Sequence, residues 1–224
     1  MRTFLRQNSL GLFFGVLFLL TLGGHAFAGW AAFNDEQIAE NLGGISLPDY
    51  LASASFAADV AENWQSEYLQ FLLYIVATVW LLQRGSPESK ELHKAGQESA
   101  EDQKLGPHAD ESSPAWARLG GLRTALFSWS LGIVMGLIFV VSWFAQSVAG
   151  WAAYNETRLR RLQDPLSWGS YLINADFWSR TLQNWQSEFL AVGSMAVLSI
   201  YLRQRGSPES KPVGEADAST GTEG

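Results

Sequence analysis

Two phrases occur twice in this chain of 224 residues, and the same distance separates the two copies of each. The phrase QRGSPESK stands at residues 83–90 and, letter for letter, at residues 204–211. The phrase NWQSE begins at Asn63 and begins again at Asn184. Asn184 minus Asn63 is 121, and the two copies of QRGSPESK differ by the same number. A repeat with a fixed offset constrains the fold more than any single motif, because both halves must adopt similar structures.

The offset of 121 residues holds without a gap along most of the chain. It also relates three shorter matches, namely GWAA at 29–32 and 150–153, SLG at 9–11 and 130–132, and RT at 2–3 and 123–124. We interpret the chain as a tandem duplication joined by a connector. The predicted organisation is a first membrane repeat (1–90), a disordered cytoplasmic linker (91–122), a second membrane repeat (123–211) and a disordered cytoplasmic tail (212–224), because linker and tail have few large apolar residues.

Each half contains one long and one shorter apolar run. Residues 10–28 and 129–149 carry no Lys, Arg, Asp or Glu, and neither do the shorter runs at 68–82 and 189–202. A helix needs about 20 apolar residues to cross a hydrocarbon core of about 30 Å. The predicted fold is therefore all-α, with four transmembrane helices arranged as two parallel two-helix repeats and a small helical extracytoplasmic cap.

The distribution of Lys and Arg predicts the orientation of these helices. Residues 29–67 contain neither, whereas residues 150–188 contain four of the 15 in the chain, and the remaining eleven fall on the other side of the predicted spans. We expect a multi-pass protein of a bacterial inner membrane with both termini in the cytoplasm. The N-terminal 30 residues also look like a cleavable secretory signal. The recurrence of the same apolar segment at residues 130–151 favours an uncleaved span.

Local signals predict where the helices begin and end. Gly43–Gly44 is expected to stop the first helix, and the two QRGSPESK phrases are expected to stop the helices that precede them, with continuous helix as far as Arg84 and Arg205. Arg84 and Lys90 are expected to lie among lipid headgroups. A cytoplasmic partner would explain the identity of the two phrases equally well. The predicted N-caps are Ser46, Ser53, Ser167 and Asn174.

The NWQSE phrases place carboxylates close to an apolar run. Glu67 and Glu188 are costly there unless they contact protein, water or a partner. One interpretation is local thinning of the bilayer, with the tryptophans in an aromatic belt. The other is a polar pocket shared by the two halves. Its candidate binding residues are Trp30, Asn34, Asn63, Trp64, Gln65, Glu67, Trp151, Asn155, Asn184, Trp185, Gln186 and Glu188.

Two acidic residues of the first half are replaced by arginine in the second half. The offset aligns Glu40 with Arg161 and Asp59 with Arg180. Equivalent positions near a pseudo-two-fold axis face each other, so such reversals can attract. We predict that at least one of these pairs joins the two halves. The SLGxxxG segments predict close helix contact as well, because two small residues four apart share one face.

The composition excludes several classes of function. Without Cys, the chain cannot form disulfides, thiolate metal sites or a cysteine nucleophile. Its net charge of -7 does not indicate a nucleic-acid-binding protein. It has no phosphate-binding loop or metal-binding helix motif. We therefore expect no enzymatic activity, no catalytic residues, no metal and no cofactor.

The phrases GWAAFN, NWQSEYLQF and LLQRGSPESK, with their second copies, resemble a family of uncharacterised bacterial integral membrane proteins catalogued as a domain of unknown function. The resemblance implies a location and a fold type, and it transfers no site residues. Two hypotheses about function follow. The first is a non-enzymatic membrane protein that binds lipid, a protein partner or further copies of itself, and the second is a small channel or transporter that uses the NWQSE pocket.

Overall fold

The structure is a computed structural model that describes residues 2–222. Within this range the regular structure is helical and contains no strand. The helices are α1 (Arg2–Gln7), α2 (Ser9–Ala39), α3 (Leu47–Leu51), α4 (Ala54–Ala77), α5 (Ala115–Leu119), α6 (Gly121–Ser128), α7 (Ser130–Arg160), α8 (Trp168–Leu172) and α9 (Ala175–Tyr201). Two single 3-10 turns, Leu92–Lys94 and Gly106–His108, lie in the connector.

The helix boundaries follow the offset seen in the sequence. Helices α2 and α7 each contain 31 residues, and α3 and α8 each contain 5. Both ends of α7 and of α8 lie 121 residues after the ends of α2 and α3, from Ser9 to Ser130 for example. Helices α4 and α9 also begin at equivalent residues, Ala54 and Ala175. The two halves therefore form the same succession of long, short and long helices.

The predicted N-caps are confirmed. In front of α3, the Ser46 hydroxyl accepts a hydrogen bond from the amide of Asp49 at 3.3 Å. The Asn174 carboxamide does the same for the amide of Asp176, at 2.9 Å, in front of α9. Ser53 and Ser167 accept equivalent bonds from the amides of Phe56 and Ser170. Each cap satisfies an amide that the first turn of a helix leaves without a partner.

Helix α2 ends before the predicted stop at Gly43–Gly44. Asn41 takes a left-handed conformation, with a φ of 61°, and the amide of Leu42 bonds to the carbonyl of Gln37 at 2.8 Å. The equivalent residue after α7 is Leu162, with a φ of 55°. This arrangement satisfies the last carbonyls of the helix without glycine. Asn tolerates the left-handed region well, whereas Leu is strained there.

Helices α4 and α9 are shorter than predicted. Helix α4 ends at Ala77 instead of Arg84, and α9 ends at Tyr201 instead of Arg205. After Ala77 the backbone finds other partners, because the carbonyl of Val79 accepts the amide of Gly96 at 2.7 Å. The β-branched residues around this point also weaken a helix. Glu67 is therefore followed by only about 15 Å of helix, at 1.5 Å per residue.

The chain divides into two compact units, and each unit contains segments from both halves. The first comprises Met1–Val60 and Ala145–Tyr171, and the second comprises Ala61–Phe144 and Leu172–Gly224. In the second unit the SLGxxxG segment of α7 contacts α4. A methyl group added at Gly136 would lie 3.7 Å from Leu72, in ordinary van der Waals contact. The space beside this glycine would accept a methyl group, so close helix contact through the small residues stays a prediction.

Two helices in the described part of the chain are long and apolar enough to cross a membrane, α2 and α7. The most apolar stretch of α2 is 0% buried and that of α7 is 17% buried. Nine large apolar side chains between Leu10 and Leu20 are exposed on α2. The most apolar stretch of each helix therefore leaves most of its surface uncovered.

Candidate functional site

Trp30 and Asn34 hold the segment that follows α2. The indole nitrogen of Trp30 and the amide nitrogen of Asn34 both donate to the carbonyl of Ile45, at 2.7 and 3.0 Å. The side-chain oxygen of Asn34 accepts the amide of Ile45 at 2.8 Å. The two side chains thus pair both backbone groups of one residue, which fixes the segment against the helix.

The second half repeats this arrangement residue for residue. Trp151 and Asn155 donate to the carbonyl of Leu166 at 2.7 and 2.9 Å, and Asn155 accepts the amide of Leu166 at 2.8 Å. Asn155 is buried. Four of the predicted pocket residues therefore use their polar groups to bind backbone of their own half. This role explains why the spacing W-x-x-x-N recurs, since it places both side chains on one helix face.

A tyrosine contacts the glycine of each GWAA phrase. A methyl group at Gly29 would lie 2.3 Å from the hydroxyl of Tyr50, and one at Gly150 would lie 2.7 Å from the hydroxyl of Tyr171. Both tyrosines are buried. Burial, and then the charge of Asp59, raise the pKa of Tyr50 above its ordinary value. The sequence analysis did not single out these tyrosines, although the offset of 121 residues relates them.

The second unit brings two of the NWQSE residues together, one from each copy. The indole nitrogen of Trp185 donates to the side-chain oxygen of Gln65 at 2.8 Å. Gln65 is completely buried, and its side-chain nitrogen has no hydrogen-bond partner. Trp143 lies 5.9 Å from Trp185 between ring centres, and its buried indole nitrogen also lacks a partner. Trp143 was not predicted as a site residue.

Glu62 lies at the centre of the polar contacts between the two copies. One of its oxygens accepts the guanidinium of Arg180 at 2.6 Å, and the other accepts the side-chain amide of Asn184 at 2.6 Å. Asn184 also donates to the carbonyl of Arg180 at 3.0 Å. Glu62 is nearly buried and was missed by the sequence analysis. The offset aligns Glu62 with Gln183, and this loss of charge at an equivalent position could have pointed to Glu62.

The remaining candidate residues of the two NWQSE phrases lie at or near the surface. Asn63, Trp64, Glu67 and Gln186 are exposed, and Glu188 is half-buried. The two copies are thus unequal, since Gln65 is buried whereas its equivalent Gln186 is exposed. No cluster of residues suited to a metal ion occurs in residues 2–222.

Glu40 forms its ion pair with a different residue from the one predicted, whereas the contact of Asp59 with Arg180 stays a prediction. Glu40 pairs at 3.0 Å with Arg160, and the side chain that the sequence indicated was its neighbour, Arg161. Arg160 is the last residue of α7, and its guanidinium is the one that reaches Glu40. This pair joins the two halves within the first unit, while the pair of Arg180 with Glu62 does so within the second.

The two QRGSPESK phrases fold into the same loop. Gly85 and Gly206 both take left-handed conformations, with φ of 86° and 84°. The Ser89 hydroxyl accepts the amide of Gln83 at 2.9 Å, and the Ser210 hydroxyl accepts that of Gln204 at the same distance. The loop therefore requires Gly at its third position and Ser at its seventh, which accounts for part of the identity of the two phrases.

The lysine that ends each phrase binds the chain beyond it. Lys90 donates to the carbonyl of Gly96 at 2.8 Å, and Lys211 donates to that of Asp217 at 2.9 Å. The offset of 121 residues thus relates the acceptors as well, beyond the point at which the identical letters stop. The position of Lys90 among lipid headgroups stays a prediction, and Glu98 also binds its ammonium at 2.6 Å. This bond lowers the pKa of Glu98.

Comparison with known proteins identifies a family and nothing more specific. No curated protein and no solved structure matches the chain. The family model described as "Domain of unknown function (DUF6766)" matches residues 1–222. Because this match covers almost the entire sequence, the chain belongs to the DUF6766 family of proteins of unknown function.

Proposed function

We propose that the protein is an integral membrane protein with four spans that binds a partner protein, another subunit or lipid, and that it catalyses no reaction. We place it in a bacterial inner membrane with both termini, the connector and the QRGSPESK loops in the cytoplasm. The two apolar runs in the inner parts of α4 and α9 supply the additional spans. The two halves are copies of one ancestral helix pair.

The observation that carries this proposal is the uncovered apolar surface of α2 and α7. Each helix contains 31 residues, which corresponds to about 46 Å at 1.5 Å per residue and exceeds the hydrocarbon core. The most apolar stretch of α2 is 0% buried. In water, this surface would far exceed the apolar patches that soluble monomers expose. The hydrocarbon core of a bilayer would cover this apolar surface, and no other protein would be needed to bury it.

The matching halves support four spans over two. Helices α4 and α9 begin at equivalent residues and contain 24 and 27 residues, about 36 and 40 Å in length. The parts that follow Glu67 and Glu188 are about 15 and 20 Å long, so these two spans require local thinning of the bilayer. An even number of crossings in each half would place both QRGSPESK loops on the same side. The concentration of Lys and Arg outside residues 29–67 makes that side the cytoplasm.

The use of the polar side chains supports binding over catalysis. Trp30, Asn34 and their equivalents bind backbone, and Glu62 is neutralised by Arg180 and Asn184. A carboxylate with both oxygens occupied has little capacity to act as a base. The two QRGSPESK loops, in contrast, repeat one backbone turn, which suits recognition of a partner.

One observation favours the alternative of a small channel or transporter. The side-chain nitrogen of Gln65 is a buried donor without an acceptor, and leaving such a group unpaired costs about 1–3 kcal/mol. Water or a transported solute next to Gln65 would remove that cost. On this alternative the NWQSE residues line a pathway through the bilayer.

Reporter fusions test the proposed topology. Fusions near residues 100 and 220 should report a cytoplasmic location, and fusions near residues 45 and 165 should report the opposite side. A cytoplasmic result near residue 45 would contradict the four-span arrangement.

The absence of Cys allows a direct test of the alternative. Glu67→Cys and Glu188→Cys each introduce a single thiol into the natural background. For the binding protein, a membrane-impermeant maleimide should label both only from the outer side. Labelling of either thiol from both sides would identify a water-filled pathway and favour transport.

A further inference from the structure

The C-terminal segment, defined here as residues 215–221, is bound by the first QRGSPESK loop. The amide of Gly85 donates to the hydroxyl of Thr220 at 2.9 Å, and the amide of Gly221 donates to the carbonyl of Ser86 at 3.1 Å. Ser86 is buried. The second of these is a bond between main chains, so the loop recognises an extended backbone, as sheet edges do for added strands.

Two cations bind the same segment from the end of α9 and the second loop. Arg203 donates to the carbonyl of Glu215 at 3.0 Å and to the carboxylate of Asp217 at 2.8 Å. The ammonium of Lys211 donates to three carbonyls of the segment, at 2.9 to 3.2 Å. Lys211 is 1% exposed. Burial, and then the charge of Arg203, lower its pKa below the ordinary value for lysine.

These groups need a ligand to be stable. Two neighbouring cations out of contact with water are costly unless acceptors surround them. The segment supplies four carbonyls and one carboxylate. The site also retains unused capacity, because the Nε of Arg203 is buried and has no partner. A ligand with one more suitably placed acceptor would therefore satisfy the site better than the chain's own segment does.

The pattern of donors and acceptors indicates the class of ligand. The carbonyl of Ser86 accepts the amide of Gly221 in addition to that of Ser89, and a phosphate or a lipid phosphodiester has no donor to replace the Gly221 amide. The amide of Gly85, Arg203 and Lys211 require acceptors spaced along a chain. An extended peptide with a carboxylate facing Arg203 meets both requirements, and a compact anion meets only one.

We propose that Gly85, Ser86, Arg203 and Lys211 form a docking site for an acidic, extended peptide segment, that residues 215–221 occupy this site in the free protein, and that an acidic segment of a partner protein displaces them. The site specifies the partner class for the binding role proposed above and rests on that role. A negative result with the peptides below would leave the topology measured by the reporter fusions unchanged.

A matched pair of glycine variants tests whether the segment is held as described. Gly85→Ala and Gly206→Ala strain the backbone alike, since both residues have a φ near 85°. At Gly85 the methyl group would lie 2.5 Å from the carbonyl oxygen of Asp217, whereas at Gly206 it meets nothing within 4 Å. The readout is a single thiol at Thr222→Cys, because the hydroxyl of Thr222 is buried in a chain without Cys.

In detergent-solubilised full-length protein, maleimide should label the Thr222→Cys thiol at least tenfold faster with Gly85→Ala than without it. Gly206→Ala should leave the rate within twofold. Equal rates in all three proteins would overturn the docking of the segment.

The full-length Asp217→Lys variant tests the site in trans, because the new charge repels Arg203 and Lys211 and releases the segment. A fluorescent peptide with the sequence GEADASTGT (residues 214–222) should bind Asp217→Lys saturably, and at least tenfold more tightly than it binds the natural chain. Addition of Lys211→Met to this variant should abolish binding.

The competitors decide the class of ligand. The peptide GEANASTGT should bind the Asp217→Lys variant at least fivefold more weakly than GEADASTGT. Inorganic phosphate, or vesicles of phosphatidylglycerol, should not displace the peptide when they are added at the same total negative charge as the peptide. Displacement by either would identify a general anion site. Failure of GEADASTGT to bind the released site would identify the segment as a fixed part of the fold. Each of these results would overturn the proposal.

Discussion

At the scale of single residues, the side chains of the repeated phrases mostly hold the backbone of nearby segments in place. Gly29 provides room for a tyrosine hydroxyl, and Trp30 and Asn34 bind the amide and carbonyl of Ile45. The same three roles recur at Gly150, Trp151 and Asn155. Because each of these side chains contacts specific atoms, each substitution should change stability or local order through a single identifiable contact.

Gly29→Ala should destabilise the protein by about 1–3 kcal/mol, because its methyl group would overlap the hydroxyl of Tyr50. Alanine normally stabilises a helix interior relative to glycine by about 0.5–1 kcal/mol, so the sign is informative. Gly23→Ala is the matched control, since a methyl group there meets nothing within 4 Å. Adding Tyr50→Phe to Gly29→Ala should restore part of the loss. Thermal unfolding in detergent, followed by tryptophan fluorescence, measures all three, and equal effects at positions 23 and 29 would contradict the contact.

Asn34→Ala should release the segment after α2, because both bonds to Ile45 are lost. The expected cost is about 1–2 kcal/mol. Asn34→Asp retains the acceptor for the amide of Ile45 and loses the donor, so its effect should be intermediate. Residues 29–67 contain no Lys or Arg, and a glutamate-specific protease is therefore the suitable probe. Cleavage after Glu40 should accelerate in the order natural chain, Asn34→Asp, Asn34→Ala. Identical cleavage rates would show that the segment is held by other contacts.

At the scale of elements, α2 and α7 have the same boundaries but different charges at their ends. Helix α7 has Arg158 and Arg160 in its last turn, which suits the negative end of a helix dipole, whereas α2 has no basic residue there. The residue after α2 is Glu40, the partner of Arg160. The two helices are thus electrostatically unequal at the contact between their ends.

Glu40→Arg and Arg160→Glu should each destabilise the protein, and the double swap should recover the loss. The pair is partly shielded from water, with side chains 32% and 16% exposed, so a coupling energy of about 0.5–1 kcal/mol is expected. The same cycle with Arg161→Glu is the control, because the ion pair of Glu40 is with Arg160. Chemical unfolding in detergent provides the free energies. Equal coupling for Arg160 and Arg161 would contradict the contact seen in the structure.

At the scale of the whole molecule, we expect the proposed membrane protein to retain its N-terminal apolar segment. The intact mass of protein extracted from membranes should correspond to the full chain, less at most Met1, because α2 matches α7 in length and position within its half. A cleaved signal would not be expected to continue into the helical turns that carry Trp30 and Asn34. Mass spectrometry after detergent extraction measures this directly. A mature N-terminus at Gly29 would contradict the prediction and remove one span.

The sequence by itself determined the features that depend on neighbouring residues or on the repeat. It predicted the long apolar helices, the all-α fold, four helix caps and the left-handed glycines of the two loops, because each depends on interactions within a few residues along the chain. The offset of 121 residues also predicted that the halves would share helix boundaries, and it pointed to charged contacts between them. Resemblance alone correctly indicated a family of unknown function.

Only the tertiary structure decided which distant groups meet. Helix α4 ends at Ala77 because the carbonyl of Val79 pairs with Gly96, and Lys211 is buried because the chain after it folds back over its ammonium. Gln65 is buried while its equivalent Gln186 is exposed, although both lie in identical words. Identical sequences have identical local preferences, but burial depends on what lies opposite. The partners of a residue are set by contacts distant in sequence, which a pattern of neighbours does not encode.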